Sequence, residues 1–239
     1  MIDWLREPAE PIIALASGDL PLVVRRHPRA TRMTLRLASD GESVRVTLPR
    51  WGTTREAVAF AQSRAAWLDS QRAKQPAKAE PAPGGTLPYR GRTLAIDWRE
   101  DRPRRVVAGD AAITLGGPRD SLAPRLKRWL QGEARTLFAG DLAFYAGRAG
   151  IETPAFALSS ARRRWGSCSS NGTVRLNWRL AMAPDDVRRS VVAHETAHRI
   201  HFDHSPRFHA LLAELFEGDL PQAEGWLKAN GPHLFASFG

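Results

Sequence analysis

Two periodicities divide the chain. From residue 31, Met33, Leu35 and Leu37 alternate with Arg32, Thr34 and Arg36; Asp40-Gly41 intervenes, and Val44, Val46 and Leu48 alternate again. A period of two on both sides of a turn dipeptide predicts a β-hairpin. Thr53 and Glu56 have the spacing of a capping box, and Val58, Ala61, Ala65 and Leu68 recur at helical steps, which predicts a helix over 54–73. Residues 75–88 hold four prolines and two glycines and read as an extended connector. Short β-type runs follow at 92–98, 104–108 and 111–115.

From Pro118 the period becomes that of a helix. Leu122, Leu126, Trp129, Leu130, Leu137, Leu142 and Tyr145 predict one long amphipathic helix that Gly150 can end. Phe156 and Leu158 alternate in one further strand and Val174 and Leu176 in another, with Ser170-Asn171-Gly172 as the turn between the two segments. A helix is expected from Pro184 to Ile200, Ser205-Pro206 supplies the N-cap and first-turn proline of the next, and residues 221–230 give a short last one. The expected fold class is α+β. It comprises an N-terminal tail over 1–20, a β-rich region over 21–120 that includes helix 54–73 and connector 75–88, and a compact domain over 121–239.

Composition narrows this without redirecting it. The 239 residues are 43% apolar and 25% charged, which excludes a disordered polymer or a fibrous repeat. Basic residues number 35 against 25 acidic ones, for a net charge of +10. All but four of the basic residues are arginine, whose fork suits phosphate and carboxylate. The charges are spread along the sequence and only Arg162, Arg163 and Arg164 form a tight run, so charge alone does not mark a nucleic-acid face. Cys168 is the single cysteine, which rules out an intrachain disulfide and favours a reducing compartment. Asp3, Glu7 and Glu10 make the first residues unlike a signal peptide, and no apolar run approaches the ~18 residues of a membrane span. A cytoplasmic location without membrane association is expected.

The candidate chemistry lies in the histidines. Five of the seven, His194, His198, His201, His204 and His209, fall within sixteen residues. His194-Glu195-Thr196-Ala197-His198 fits H-E-x-x-H, in which a helix sets two imidazoles one turn apart on one face, able to share a metal. Val187, Val191 and Ala197, with no internal proline or glycine, put the motif on a helix. A catalytic zinc site needs three protein ligands and an open position. On a continuing helix His201 would lie about 10.5 Å along the axis from His194, too far to share the ion. His204 returns to the metal if the chain turns after Ile200, and Phe202-Asp203-His204-Ser205-Pro206 has the composition of such a turn. The preferred ligand set is therefore His194, His198 and His204, with Glu195 as general base toward a bound water. Glu214 or Glu217 on the following helix competes as a carboxylate third ligand. His201 and His209 are expected to be solvent-exposed, and Cys168 to be a small packed residue.

These residues resemble the YgjP-like family of zinc-dependent hydrolases, relatives of the WLM and SprT-type metallopeptidases. The resemblance is carried in order by Arg164-Trp165-Gly166-Ser167-Cys168-Ser169, Leu176-Asn177, Ala183-Pro184, Val191-Val192-Ala193-His194-Glu195-Thr196-Ala197-His198 and His204-Ser205-Pro206-Arg207-Phe208. It implies a small zincin domain in which a backing helix and a sheet support the active-site helix. It also implies His204 as third ligand and Arg164 and Trp165 as lining of a substrate cleft. Asp203, His209 and Thr196 stand where asparagine, tryptophan and leucine are usual.

Three functions follow, in order. The first is a zinc-dependent hydrolase of metallopeptidase type, with zinc polarising the scissile carbonyl and Glu195 moving the proton. The second is a metal-dependent nucleoside triphosphate diphosphatase, an activity attributed within the family and resembling a UTP pyrophosphatase, with Arg162–Arg164 on the phosphates. The third is a DNA-associated protease or binding module, which the basic charge alone supports weakly.

Overall fold

The alternating segments do form strands, but they join two different bodies. The structure, a computed structural model, describes residues 11–38, 41–75, 80–162 and 164–238. It divides into two compact units, residues 1–77 and 78–239.

In the first unit, β1 (Ile12–Ile13), β2 (Leu20–Arg26), β3 (Thr34–Leu37) and β4 (Val44–Leu48) form one sheet in the order β1-β2-β4-β3. The alternation around residue 40 gives the antiparallel pair β3–β4, with Leu35 opposite Val46 and Leu37 opposite Val44; Asp40 itself lies outside the described residues. β2 runs parallel to β4, and Ile13, Leu20 and Leu22 are buried with Val44, Val46 and Leu48. Residues 11–20, expected within a tail, thus supply a strand and part of a core. The helix expected over 54–73 is two helices, α1 (Thr54–Gln62) and α2 (Ala65–Ala73). The capping box at Thr53 and Glu56 forms, but Ser63 turns its hydroxyl onto the Phe60 carbonyl at 2.8 Å and Arg64 leaves helical backbone angles. That local bond offers the backbone an alternative to the helix ladder.

The second unit opens with a sheet of β5 (Thr86–Tyr89), β6 (Arg92–Arg99), β7 (Val107–Ala108) and β8 (Ala112–Gly116), in the order β5-β6-β8-β7. The end of the expected connector is thus a strand. Leu87, Leu94, Ile96, Ile113 and Leu115 join the same core as Leu126, Leu130 and Phe138 of α3 (Leu122–Arg148). The expectation grouped these strands with residues 21–120; their apolar faces are instead covered by the long helix that follows them.

Three strands, β9 (Phe156–Ser159), β10 (Gly166–Cys168) and β11 (Val174–Asn177), make a sheet ordered β10-β11-β9. The turn at 170–172 joins β10 to β11, and β9 lies parallel to β11. The hairpin partner differs from the expected one because Gly166, Ser167 and Cys168 are too small to show an alternating pattern. The helices α4 (Asp185–Ala197), α5 (Pro206–Leu215) and α6 (Leu220–Ala236) follow. α6 exceeds the expected 221–230 mainly at its C-terminal end, where it runs on through Gly231 and Pro232 with Gly231 and Leu234 buried, while Asp219 caps its start, accepting from the Gln222 amide at 2.8 Å. Among the described residues no helix is long and apolar enough to cross a membrane.

α4 is fixed from two sides. The Arg90 and Gly91 amides donate to the Ala181 and Met182 carbonyls, each at 3.0 Å, so the β5–β6 turn sits against the entry to α4. Gly91 has φ +75° and a Cβ there would lie 2.9 Å from Pro184, so glycine meets both a backbone and a space requirement. Arg90 pairs with Asp185 in the first turn. From the other side Asp141 of α3 accepts from Arg188 at 2.7 Å, with both side chains buried.

Candidate metal centre

α4 presents His194 and, at its C-cap, His198, whose Nε2 atoms are 3.1 Å apart. The chain then turns through residues 199–205 and restarts at Ser205, whose hydroxyl accepts from the Phe208 amide. That turn brings His204 Nε2 to 3.4 Å from His194 Nε2. One ligand atom from each of the three lies within 4.8 Å of the others, an arrangement that could hold a metal ion. Two nitrogens at zinc's bond length of about 2.0–2.1 Å and a tetrahedral angle would stand about 3.3–3.4 Å apart. The observed pairs match that spacing.

Protonation agrees with the spacing. His198 Nδ1 is 3.0 Å from the His201 carbonyl, which can only accept, so Nδ1 donates there and Nε2 is the atom directed at the other two rings. Burial, reinforced by His198, His204 and His209, lowers the His194 pKa to about 4 and keeps that ring neutral. Phe208, fully buried, stacks on His198 with ring centres 4.5 Å apart and touches the His194 and His204 rings edge-on. An apolar floor of this kind limits the motions open to all three imidazoles.

Glu195 points away from this cluster's floor toward β10. Its residue is 5% exposed, and its Oε2 has no hydrogen-bond partner. Burial raises its pKa to about 7 against the opposing charge of Arg164. A buried polar atom without a partner costs stability, which fits a group kept for chemistry. Gly166 makes room for it: a Cβ at 166 would lie 2.6 Å from Glu195 Cγ and 2.7 Å from Cδ, and would also overlap Oε1. Sequence reasoning did not single out Gly166; the only signal is a glycine inside a strand, which marks a close approach of another group.

The other expected residues sort as follows. Trp165 lines a cavity together with His194 and Glu195, whereas Arg164 is exposed and reaches the site through its charge. Arg163 lies outside the described residues. Glu217, a competing third ligand, is engaged by Tyr145 at 2.9 Å and by Arg189, and Glu214 is not among the converging groups. His201 enters through its carbonyl rather than its ring, and the His209 ring is centred 6.3 Å from that of His204. Cys168 is half-buried against the core, and desolvation pushes its thiol pKa up, away from a reactive thiolate.

Three converging imidazoles beside a buried carboxylate are what a metal-dependent hydrolase uses, and an α+β body carries them here. The family is specific: the sequence profile of the YgjP-like, metallopeptidase domain matches residues 31–230, and the chain belongs to that family. No curated protein and no solved structure matches the chain.

Proposed function

We propose that the protein is a zinc-dependent hydrolase of metallopeptidase type, in which His194, His198 and His204 hold the ion and Glu195 is the general base. The observation that carries this reading is the buried Glu195 carboxylate, its Oε2 without a hydrogen-bond partner, one residue from the first of three converging imidazoles. An all-imidazole set suits zinc among the common divalent ions. Bound there, zinc would supply Lewis acidity toward a carbonyl oxygen and toward water. Glu195 takes a proton from the attacking water and returns it to the leaving amine; a carboxylate with a pKa of about 7 can do both near neutral pH. Phe208 and the His201 carbonyl hold the imidazoles in register. Trp165 forms one wall of the substrate site.

A second reading, the nucleoside triphosphate diphosphatase, draws on the charge of Arg164 felt at Glu195. Purified protein is expected to carry about one zinc per chain, to lose it on His194→Ala or His204→Ala, and to keep it while losing turnover on Glu195→Gln. Full zinc retention in both histidine variants would end the ligand assignment. A combined peptide and nucleotide panel, run on wild type and Glu195→Gln, separates the two readings.

A further inference from the structure

We infer that the cavity beside His194 and Glu195 is a side-chain subsite that takes a large apolar residue of a peptide substrate and turns acidic residues away. Its role in turnover rests on the hydrolase proposed above; its binding preference does not. The cavity has a volume of about 220 Å³. Its walls come from four places in the chain: Trp165 immediately before β10, Val191 on α4, Leu212 on α5, and Leu220, Glu224 and Leu227 on α6. The last three recur at i, i+4 and i+7, so a single stripe of α6 faces the metal-bearing helix. Trp165 stacks on Phe235 of the same helix with ring centres 5.1 Å apart, and at Gly231 a Cβ would come within 2.9 Å of the Trp165 ring. The indole and the α6 stripe are thus one packed wall.

Size and charge together choose the ligand. Pockets for drug-sized molecules occupy roughly 300–1,000 Å³, so this one suits a single side chain. Two carboxylates, Glu195 and Glu224, line it, and among the described residues no cationic side chain does. Phosphate and carboxylate groups meet Glu224 and no donor fork in this lining, while a leucine, methionine or phenylalanine side chain exchanges water for apolar contacts. Filling such a wall with leucine rather than alanine is worth roughly ten- to a hundred-fold in affinity.

The test titrates the zinc-loaded full chain with the N-acetyl amides of leucine, phenylalanine, alanine and aspartate and with UTP, following the methyl NMR signals of Leu212, Leu220 and Leu227. Leucine and phenylalanine amides are expected to bind at least ten-fold tighter than alanine amide and to move these methyls, with aspartate amide weakest. Leu227→Trp, which fills the cavity, should abolish the advantage of leucine while zinc content and thermal unfolding stay at wild-type values. Should that variant fold poorly, Leu220→Ala enlarges the same wall and should shift preference toward tryptophan amide. Equal affinities for all four amides, or a strongest methyl response to UTP, would overturn the subsite. Cleavage of a random peptide pool is read in parallel. Leucine-selective binding without any Glu195-dependent cleavage keeps the subsite and removes the hydrolase; cleavage with equal amide affinities does the reverse.

Discussion

Gly166→Ala isolates the placement of one carboxylate from everything else in the site. The substitution adds a single methyl at a position whose backbone angles tolerate alanine, since Gly166 is not among the positive-φ glycines. That methyl would sit 2.6 Å from Glu195 Cγ, where ordinary contact begins near 3.4 Å. Glu195, or β10 against it, must yield by roughly 1 Å, and a misplacement of that size at a reacting group lowers rate by about 10²-fold. The three atoms nearest that methyl all belong to Glu195, and none to a histidine. Zinc per chain should therefore stay near the wild-type value while kcat falls about a hundred-fold. The assay pairs metal analysis with the initial rate on the peptides that wild type cleaves. Rates within three-fold of wild type, with zinc retained, would show that Glu195 has no need of its present position and would refute the reasoning. Loss of zinc together with rate would show instead that β10 supports the whole centre.

Other expectations follow from the supports of the site. Asp141→Ala leaves Arg188 buried with only the partly exposed Asp185 as partner, so urea denaturation should report a loss of about 3 kcal/mol, the low end for a broken buried pair. A loss under 1 kcal/mol would mean that Asp185 suffices. Gly91→Ala forces a Cβ into a left-handed position against Pro184, and should lower stability by more than about 1 kcal/mol in the same experiment. In the first unit Asp69 accepts from the Ser17 hydroxyl and from the Ser17 and Ala16 amides, which hold its pKa below the usual 3.8. A depressed carboxylate stabilises the fold above its unfolded pKa, and the contribution is lost as pH falls through the folded value. Asp69→Asn should therefore destabilise at neutral pH and converge on wild type in strong acid; a pH-independent difference would contradict the linkage.

Much of the site was legible because its signals are local. H-E-x-x-H on an apolar helix fixes two imidazoles one turn apart, and Ser205-Pro206 fixes where the next helix begins, so a return of His204 could be argued from turn chemistry. Helix lengths were less legible: Ser63 breaks 54–73 through a bond to its own preceding turn, and α6 runs on through Gly231 and Pro232, residues that locally signal an end, because Leu234 beyond them is buried in the core. The third sheet's pairing was hidden because β10 consists of Gly166, Ser167 and Cys168, which carry no periodicity.

Residue order carries chemistry and spacing: which groups can ligate, which can accept a proton, and which segments must bury a face. Tertiary structure alone decided who meets whom. It set β5–β8 on the core of α3, placed Gly166 under Glu195, occupied Glu217 with Tyr145 and Arg189, and laid the stripe of α6 beside His194 and Glu195. The physical reason is that periodicity reports that a surface must be buried, whereas the partner surface is chosen by shape and by the pairing of buried polar groups between elements far apart in the chain.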